Sequence, residues 1–269
     1  GSRKSTLIQH LNGLVKLQEG EVTVQGLSAS DKKSLKKLRF AVGMVFQYPE
    51  YQLFEDTVAK DIAFGPKNMK LPKEEIDRRV RRAMEVVGLP YEQFAERSPF
   101  ELSGGEKRRA AIAGVIAMEP RILVLDEPVA GLDPAGRKEI LELVLKLKAE
   151  VSPTVIMVSH YMDDIAALAT RLIALRDGKV VADGTPAEVF GDREKAREAG
   201  IDLPFAASMV DKLAERGIDL PKTVLTLPEL ADALAAYRDG RGGRAETAEE
   251  ETEDGGTAET TQTGEGSDV

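Results

Sequence analysis

From Ile122 onward, short apolar segments alternate with helical ones, and this alternation constrains the fold more than any other feature. Ile122–Leu125 is apolar and bounded by charge, residues 135–150 have helical spacing, and Thr154–Val158 is apolar again. Tyr161–Ala169 then reads as a helix and Leu172–Leu175 as a further short strand. Strands joined by helices of this length form βαβ crossovers, so the chain is expected to be α/β with a mostly parallel sheet. Upstream, Phe40–Phe46 is a continuous apolar run, the pattern of a strand covered on both faces.

Other segments fill in around this sheet. Residues 5–14 place Leu7, Leu11 and Leu14 at helical spacing, and residues 21–26 alternate as a short exposed strand ending in Gly26. The aromatic and proline-rich stretch 48–72 reads as loop plus short helix. A charged amphipathic helix follows at 73–87, closed by Gly88, and another spans Ser103–Met118. Asp177-Gly178 marks a hairpin turn. Residues 186–238 hold helical pieces split by Asp-Leu-Pro, and from 240 the Gly, Thr and Glu composition predicts disorder.

Charge and composition remove several functions. The net charge is −9, yet nine acids and no base follow Arg244, so the chain before the tail is balanced. A neutral body without a basic stripe is poor material for holding a nucleic-acid backbone, and no nucleic-acid partner is expected. The absence of cysteine removes disulfides and thiolate metal sites, and His10 and His160 are the only histidines. The longest apolar run, Ala110–Met118, falls far short of the roughly 20 residues of a membrane helix, and no signal peptide is visible. A cytosolic protein that touches a membrane only through a partner is expected. The chain opens Gly1-Ser2-Arg3-Lys4 without an initiator Met, and the true start, with the first core strands, is expected to precede it.

Several segments carry chemistry. Gly1-Ser2-Arg3-Lys4-Ser5-Thr6 before a helix looks like the second half of a phosphate-binding loop, in which backbone N–H groups cradle phosphates, Lys reaches them and a hydroxyl ligates Mg²⁺. A capped helix with a basic first turn fits those letters equally well. The pattern's second Gly is Arg3 here, a side chain where the backbone must approach phosphate closely. Ile122–Leu125 delivers Asp126 and Glu127 at a strand end, where one carboxylate can hold Mg²⁺ with Ser5 and the other can polarise a water. Leu102-Ser103-Gly104-Gly105-Glu106 opens a helix as an anion-binding cup, although four such letters alone also describe a plain capped helix. Asp133 follows in Ala130-Gly131-Leu132-Asp133-Pro134. A lone His is more often structural than catalytic, but His160 lies just past the next strand, where a γ-phosphate would be met, and Gln47 likewise follows the 40–46 run.

In order and spacing these segments resemble the ATP-binding cassette (ABC) ATPases. The glutamine loop is at Gln47, the LSGGE signature at 102–106, the switch histidine at His160. Segments without catalytic roles narrow the resemblance. Phe46–Phe54, Asp61–Asn68, Arg108–Gly114, Arg216–Pro221 and Leu227–Leu230 are similar to the energy-coupling factor (ECF) transporter ATPases, over about residues 1–238. The resemblance implies a P-loop NTPase core over 1–46 and 119–190, an inserted helical signature subdomain over 47–118, a small C-terminal helical extension over 191–239, and the acidic tail 240–269.

It also implies ATP and Mg²⁺, bound by Gly1, Ser2, Arg3, Lys4, Ser5 and Thr6 on one subunit and by Ser103, Gly104, Gly105 and Asp133 across a head-to-tail interface. Ser5, Gln47 and Asp126 would serve the metal, while Glu127, His160 and Gln47 would serve hydrolysis. The implied partners are a second ECF ATPase, a transmembrane coupling subunit docking near Tyr48–Phe64, and a substrate-binding membrane component. The implied task is uptake of vitamins or transition-metal ions from the cytoplasmic face of the cell membrane.

Chromosome-maintenance ATPases share the signature but separate it from the P-loop by hundreds of residues; here Lys4 and Ser103 are fewer than a hundred positions apart. Val129 stands where the family usually has Thr or Ser. Arg3 leaves two readings open: a one-base change from a glycine codon, or a weakened site in a subunit that lends its signature to an active partner. The chain as it stands is expected to bind ATP weakly, and Arg3→Gly with the preceding residues restored to bind it well. Equal affinities in titration calorimetry would refute this.

Overall fold

The computed structural model describes residues 4–253, with side chains through residue 240. In chain order the elements are α1 (Lys4–Leu11), β1 (Thr23–Val24), β2 (Leu27–Ser28), α2 (Lys32–Ala41), β3 (Val42–Val45), α3 (Val58–Asn68), α4 (Lys73–Val86) and α5 (Tyr91–Phe94). There follow α6 (Gly104–Ile116), β4 (Ile122–Asp126), α7 (Pro134–Glu150), β5 (Thr154–Val158) and α8 (Met162–Leu168). The last elements are β6 (Leu172–Arg176), β7 (Lys179–Gly184), α9 (Pro186–Gly191), α10 (Arg193–Glu198), α11 (Phe205–Ala214) and α12 (Leu227–Glu253). The described residues divide into two compact units, the first ending at Asp202 and the second beginning at Leu203.

The first unit is organised on a parallel sheet in the order β3-β4-β5. Leu123, Val124 and Leu125 of the central strand are at most 1 % exposed, because alternate side chains of a strand enter opposite faces and both faces here are covered. Leu123 and Leu125 join Ile62, Met84, Ile112, Ile116 and Leu147 from the helices on one side. Val124 joins Ile8, Leu38, Val42, Met44 and Val158 on the other. That two-sided burial is why β4 reads as an unbroken apolar run.

Three local expectations are corrected. The apolar run 40–46 is not all strand: Phe40 and Ala41 end α2, which begins at the N-cap Asp31, whose carboxylate accepts from the N–H groups of Lys33 and Ser34. A helix running straight into a strand leaves no turn signal, so periodicity cannot divide the run. The single strand expected at 21–26 is one arm of a small hairpin, turned at Gln25 and Gly26, both at positive φ (51° and 75°). The stretch from 240, expected to lack structure, falls in two parts: α12 continues through Glu253, while 254–269 lie outside the described residues.

The Asp177-Gly178 turn joins β6 to β7 as an antiparallel hairpin, with φ of 51° and 77°. The second unit begins at Leu203, later than the extension expected from 191, because α9 packs on β7 within the first unit. Its own core gathers Ala206, Val210, Val224 and Leu230. Glu229 accepts from the N–H groups of Leu225 and Thr226, both at 2.9 Å, at the start of α12. Among the described residues no helix is long and apolar enough to cross a membrane.

Since Leu123 is fully enclosed in the central strand, Leu123→Ala is expected to cost about 2–5 kcal/mol. A urea titration of the nucleotide-free protein that shows a loss below about 1 kcal/mol would contradict a core anchored on β4.

Candidate functional site

The parallel register brings the three chemical segments to one edge. Val45 lies opposite Leu125 and Asp126 opposite Val158, so Gln47, Asp126-Glu127 and Ser159-His160 all leave the carboxyl ends of adjacent strands. Crevices at such ends are where open α/β sheets bind their ligands. The start of α1 reaches the same place: Ser5 Oγ donates to Asp126 Oδ1 at 3.3 Å, across 121 positions of sequence. Lys4 begins α1 and Thr6 lies exposed in its first turn; Gly1, Ser2 and Arg3 lie outside the described residues.

Asp126 is 5 % exposed, and burial pushes its carboxyl above the usual carboxylate range. The Ser5 hydroxyl opposes that shift, the Glu127 charge adds to it, and Lys4 opposes it. Glu127 has φ of +50°, the left-handed region that non-glycine residues rarely adopt. It is pinned there by its N–H to the Val158 carbonyl at 3.0 Å and by the Ala130 N–H to its own carbonyl at 3.1 Å. One carboxylate oxygen, Oε2, is buried without a hydrogen bond, although Nδ1 of His160 stands 2.8 Å away. A carboxylate oxygen held beside an imidazole can accept a proton that arrives with a water.

His160 itself is largely exposed, its ring 4.2 Å from that of Tyr161. The guanidinium of Arg137 sits 4.2 Å over Tyr161 and pairs with the buried Asp164 at 2.7 Å. Arg137 belongs to α7, whose N-cap is Asp133, accepting from the Gly136 N–H at 2.8 Å. The sequence reading missed Arg137, Tyr161 and Asp164 because charged and aromatic residues on helices usually face solvent. Only their joint placement beside His160 gives them meaning.

Gln47 is exposed, and the next residue, Tyr48, has φ of +56°. The Tyr48 ring lies against Gly131, where a Cβ would stand 3.1 Å from Cε1 and φ is +74°. Gly131 is therefore favoured by its dihedral, and a Cβ there would press on the Tyr48 ring. The Ser103 loop is built differently. Ser103 and Glu106 form a reciprocal capping box, Glu106 Oε2 accepting from the Ser103 N–H at 2.8 Å, and that bond holds the Glu106 carboxyl below its usual range. Ser103, Gly104 and Gly105 are exposed, and a Cβ on either glycine would meet nothing within 4 Å. Among the described residues, no hydrogen bond or ion pair joins Ser103–Gly105 to Lys4–Thr6.

The donor set suits the expected metal. A carboxylate and a hydroxyl in contact supply two hard oxygens, and Mg²⁺ characteristically takes one or two protein oxygens beside waters and phosphate. No group of three or more Asp, Glu or His side chains that could hold a metal converges among the described residues, at this site or any other. A helix N-terminus with Lys4 and Ser5, a buried Asp126 in contact with Ser5 and a Glu127 carboxylate beside His160 form the arrangement of an ATPase of the P-loop class.

Comparison with known proteins agrees and narrows the class. The ABC transporter family model matches residues 1–130, and the energy-coupling factor transporter EcfA1 C-terminal domain matches residues 204–238. Energy-coupling factor transporter ATP-binding protein EcfA2 of Clostridioides difficile is 52 % identical over 244 residues, 90 % of this chain and 85 % of that protein. The EcfA2 protein of Clostridium tetani is 50 % identical over 235 residues, 87 % of this chain and 82 % of that one. Among solved structures, CbiO1 of Clostridium perfringens, described as part of the ABC transporter complex CbiONQ, superposes with a TM-score of 0.65 at 38 % identity, covering 80 % of this chain and 83 % of that one. The ATP-binding cassette MJ0796, bound to ADP and Pi in a post-hydrolysis state, superposes with a TM-score of 0.58 at 31 % identity, covering 69 % of this chain and 81 % of that one. The chain belongs to the ABC ATPases, in the family of energy-coupling factor transporter ATP-binding proteins.

The Arg137–Asp164 pair generates a test. Arg137→Met leaves a buried carboxylate unpaired and is expected to destabilise the protein by about 2–4 kcal/mol. Adding Asp164→Asn should recover most of that loss in chemical unfolding. No recovery would mean that Arg137 acts through packing on Tyr161 alone.

Proposed function

We propose that this ATPase works as one half of a head-to-tail dimer with a second ECF ATPase, driving uptake of a vitamin or transition-metal ion. The supporting observation is the incompleteness of the site within one chain. Lys4, Ser5, Asp126, Glu127 and His160 gather at one edge, while Ser103–Gly105 stays exposed and bonded only within its own box. A helix N-terminus with free N–H groups is an anion site awaiting an anion, and a second subunit would carry one to it. Asp133, also exposed at a helix start, would meet the same partner.

In this reading Lys4 and the N–H groups of α1 hold the β- and γ-phosphates. Ser5 and Asp126 offer the oxygens for Mg²⁺, which when bound neutralises phosphate charge. Glu127 orients a water and takes its proton as the water oxygen bonds to the γ-phosphorus and the bond to the β-phosphate bridging oxygen breaks. His160 steadies the γ-phosphate and, through Oε2, the Glu127 carboxylate. Gln47 reports the state of the site to the segment that follows it.

That segment is the candidate dock for the coupling subunit. Tyr51 is 85 % exposed, Phe54 57 % and Phe64 44 %, far too open for core residues. Phe54 and Phe64 meet edge to face at 5.0 Å. Asp61 pins the loop by accepting from the N–H groups of Phe54 and Glu55 at 2.8 and 2.9 Å. Clustered exposed aromatics of this kind mark protein interfaces. The protein would then sit peripherally on the cytoplasmic face of the membrane, its solute chosen by a separate substrate-binding component.

Arg3 favours a second reading, in which this chain's own site is degenerate and Ser103–Gly105 serves an active partner. One experiment decides. In the transporter assembled with its partner ATPase, Glu127→Gln in this chain should lower the ATP turnover by about 10²–10⁴-fold while ATP binding persists. Unchanged turnover would transfer catalysis to the partner's site.

A further inference from the structure

Arg108 is the side chain that this reading leaves without a role. It lies on α6, the helix opened by Ser103, and at 2 % exposure it is the largest side chain of those wholly buried. Removing an unpaired guanidinium from water costs several kcal/mol, so its partners must be complete. They are. Nε donates to Glu50 Oε2 at 3.2 Å, and Nη2 to Glu50 Oε1 at 3.4 Å and to the Ala130 carbonyl at 3.1 Å. Nη1 donates to the carbonyls of Pro128 and Ala130, both at 3.2 Å. All five donors of the fork are used.

The identity of these partners matters more than their number. Pro128 and Ala130 lie in the turn that follows Glu127, closed by the Ala130 N–H on the Glu127 carbonyl. Glu50 sits in the helical turn Pro49–Gln52, between Gln47 and the exposed aromatics Tyr51 and Phe54. Tyr48 against Gly131 is a second contact between the same two segments. One rigid planar group thus joins the signature helix, the stretch after Gln47 and the turn after the proton acceptor.

We propose that Arg108 is a positioning residue for ATP hydrolysis: its fork on the Pro128 and Ala130 carbonyls sets the left-handed Glu127, and its pairing with Glu50 makes that setting depend on the segment after Gln47. The inference rests on the hydrolytic role of Glu127 given above. Lysine cannot substitute, because three donors on a single nitrogen do not span a carboxylate and two carbonyls in a plane. A displacement of about 1 Å at a proton acceptor lowers turnover by up to about 100-fold.

The test uses the assembled transporter in liposomes, measuring ATP turnover and KM. Arg108→Lys is expected to lower kcat by about 10- to 100-fold with KM for ATP shifted less than about threefold. In a Glu127→Gln background the same change should alter the residual rate by less than about twofold, since no proton acceptor is left to misplace. An unchanged kcat, or losses that multiply in that background, overturns the proposal in favour of a purely structural ion pair. If Arg108→Lys does not assemble, Glu50→Gln, which keeps the guanidinium and its carbonyl bonds, takes the same two measurements with an expected kcat loss of about 3- to 10-fold. An unchanged kcat there is equally fatal. Failure of the underlying reading is distinguishable, because then the unsubstituted transporter, or the Glu127→Gln change alone, departs from expectation.

Discussion

The site depends on how β4 is paired. Two parallel neighbours hold it in register, Val45 opposite Leu125 and Asp126 opposite Val158, and that register brings Gln47, Asp126-Glu127 and Ser159-His160 to one edge. A slip by one residue would exchange the two cores, sending Leu123 and Leu125 to the face now filled by Val124. Such a slip would also turn Asp126 away from Ser5. Packing and chemistry are thus specified by the same alternation of side chains, and the apolar part of β4 is as much a functional element as the acids that follow it.

The sequence was most legible where local rules and tertiary structure agree. The parallel sheet, the helices at 73–87, 103–118 and 135–150, and the Asp177-Gly178 hairpin were readable from periodicity and turn chemistry alone. Reading failed where one apolar run served two elements, at Phe40–Val45, and where a turn lacked a strong signal, at Gln25-Gly26. Asp126, Glu127 and Ser5 could be singled out as candidates because they fall at strand and helix ends, and the fold brings Ser5 and Asp126 into contact. Arg108 was not. A charged residue on a helix is normally solvated, and only the burial contributed by Glu50 and the Pro128–Ala130 turn reverses that expectation.

Rigid and open parts of the protein are sharply divided. Asp126, Glu127 and Arg108 are enclosed and hydrogen-bonded or ion-paired into the sheet and turns around them. Ser103–Gly105, Asp133, His160 and the aromatics from Tyr51 to Phe64 face outward. Groups that must be preorganised for proton transfer belong to the first set. Groups that must meet another molecule belong to the second. On the proposed reading, hydrolysis belongs to the carboxyl edge of the sheet and recognition to the exposed surfaces beside it.

The backbone of Glu127 has one further implication. A glutamate kept at φ +50° stores strain that a glycine at the same position would release. On the proposed reading, a relaxed backbone there would come without the carboxylate that takes the proton, so the tension sits where durability is exchanged for chemistry.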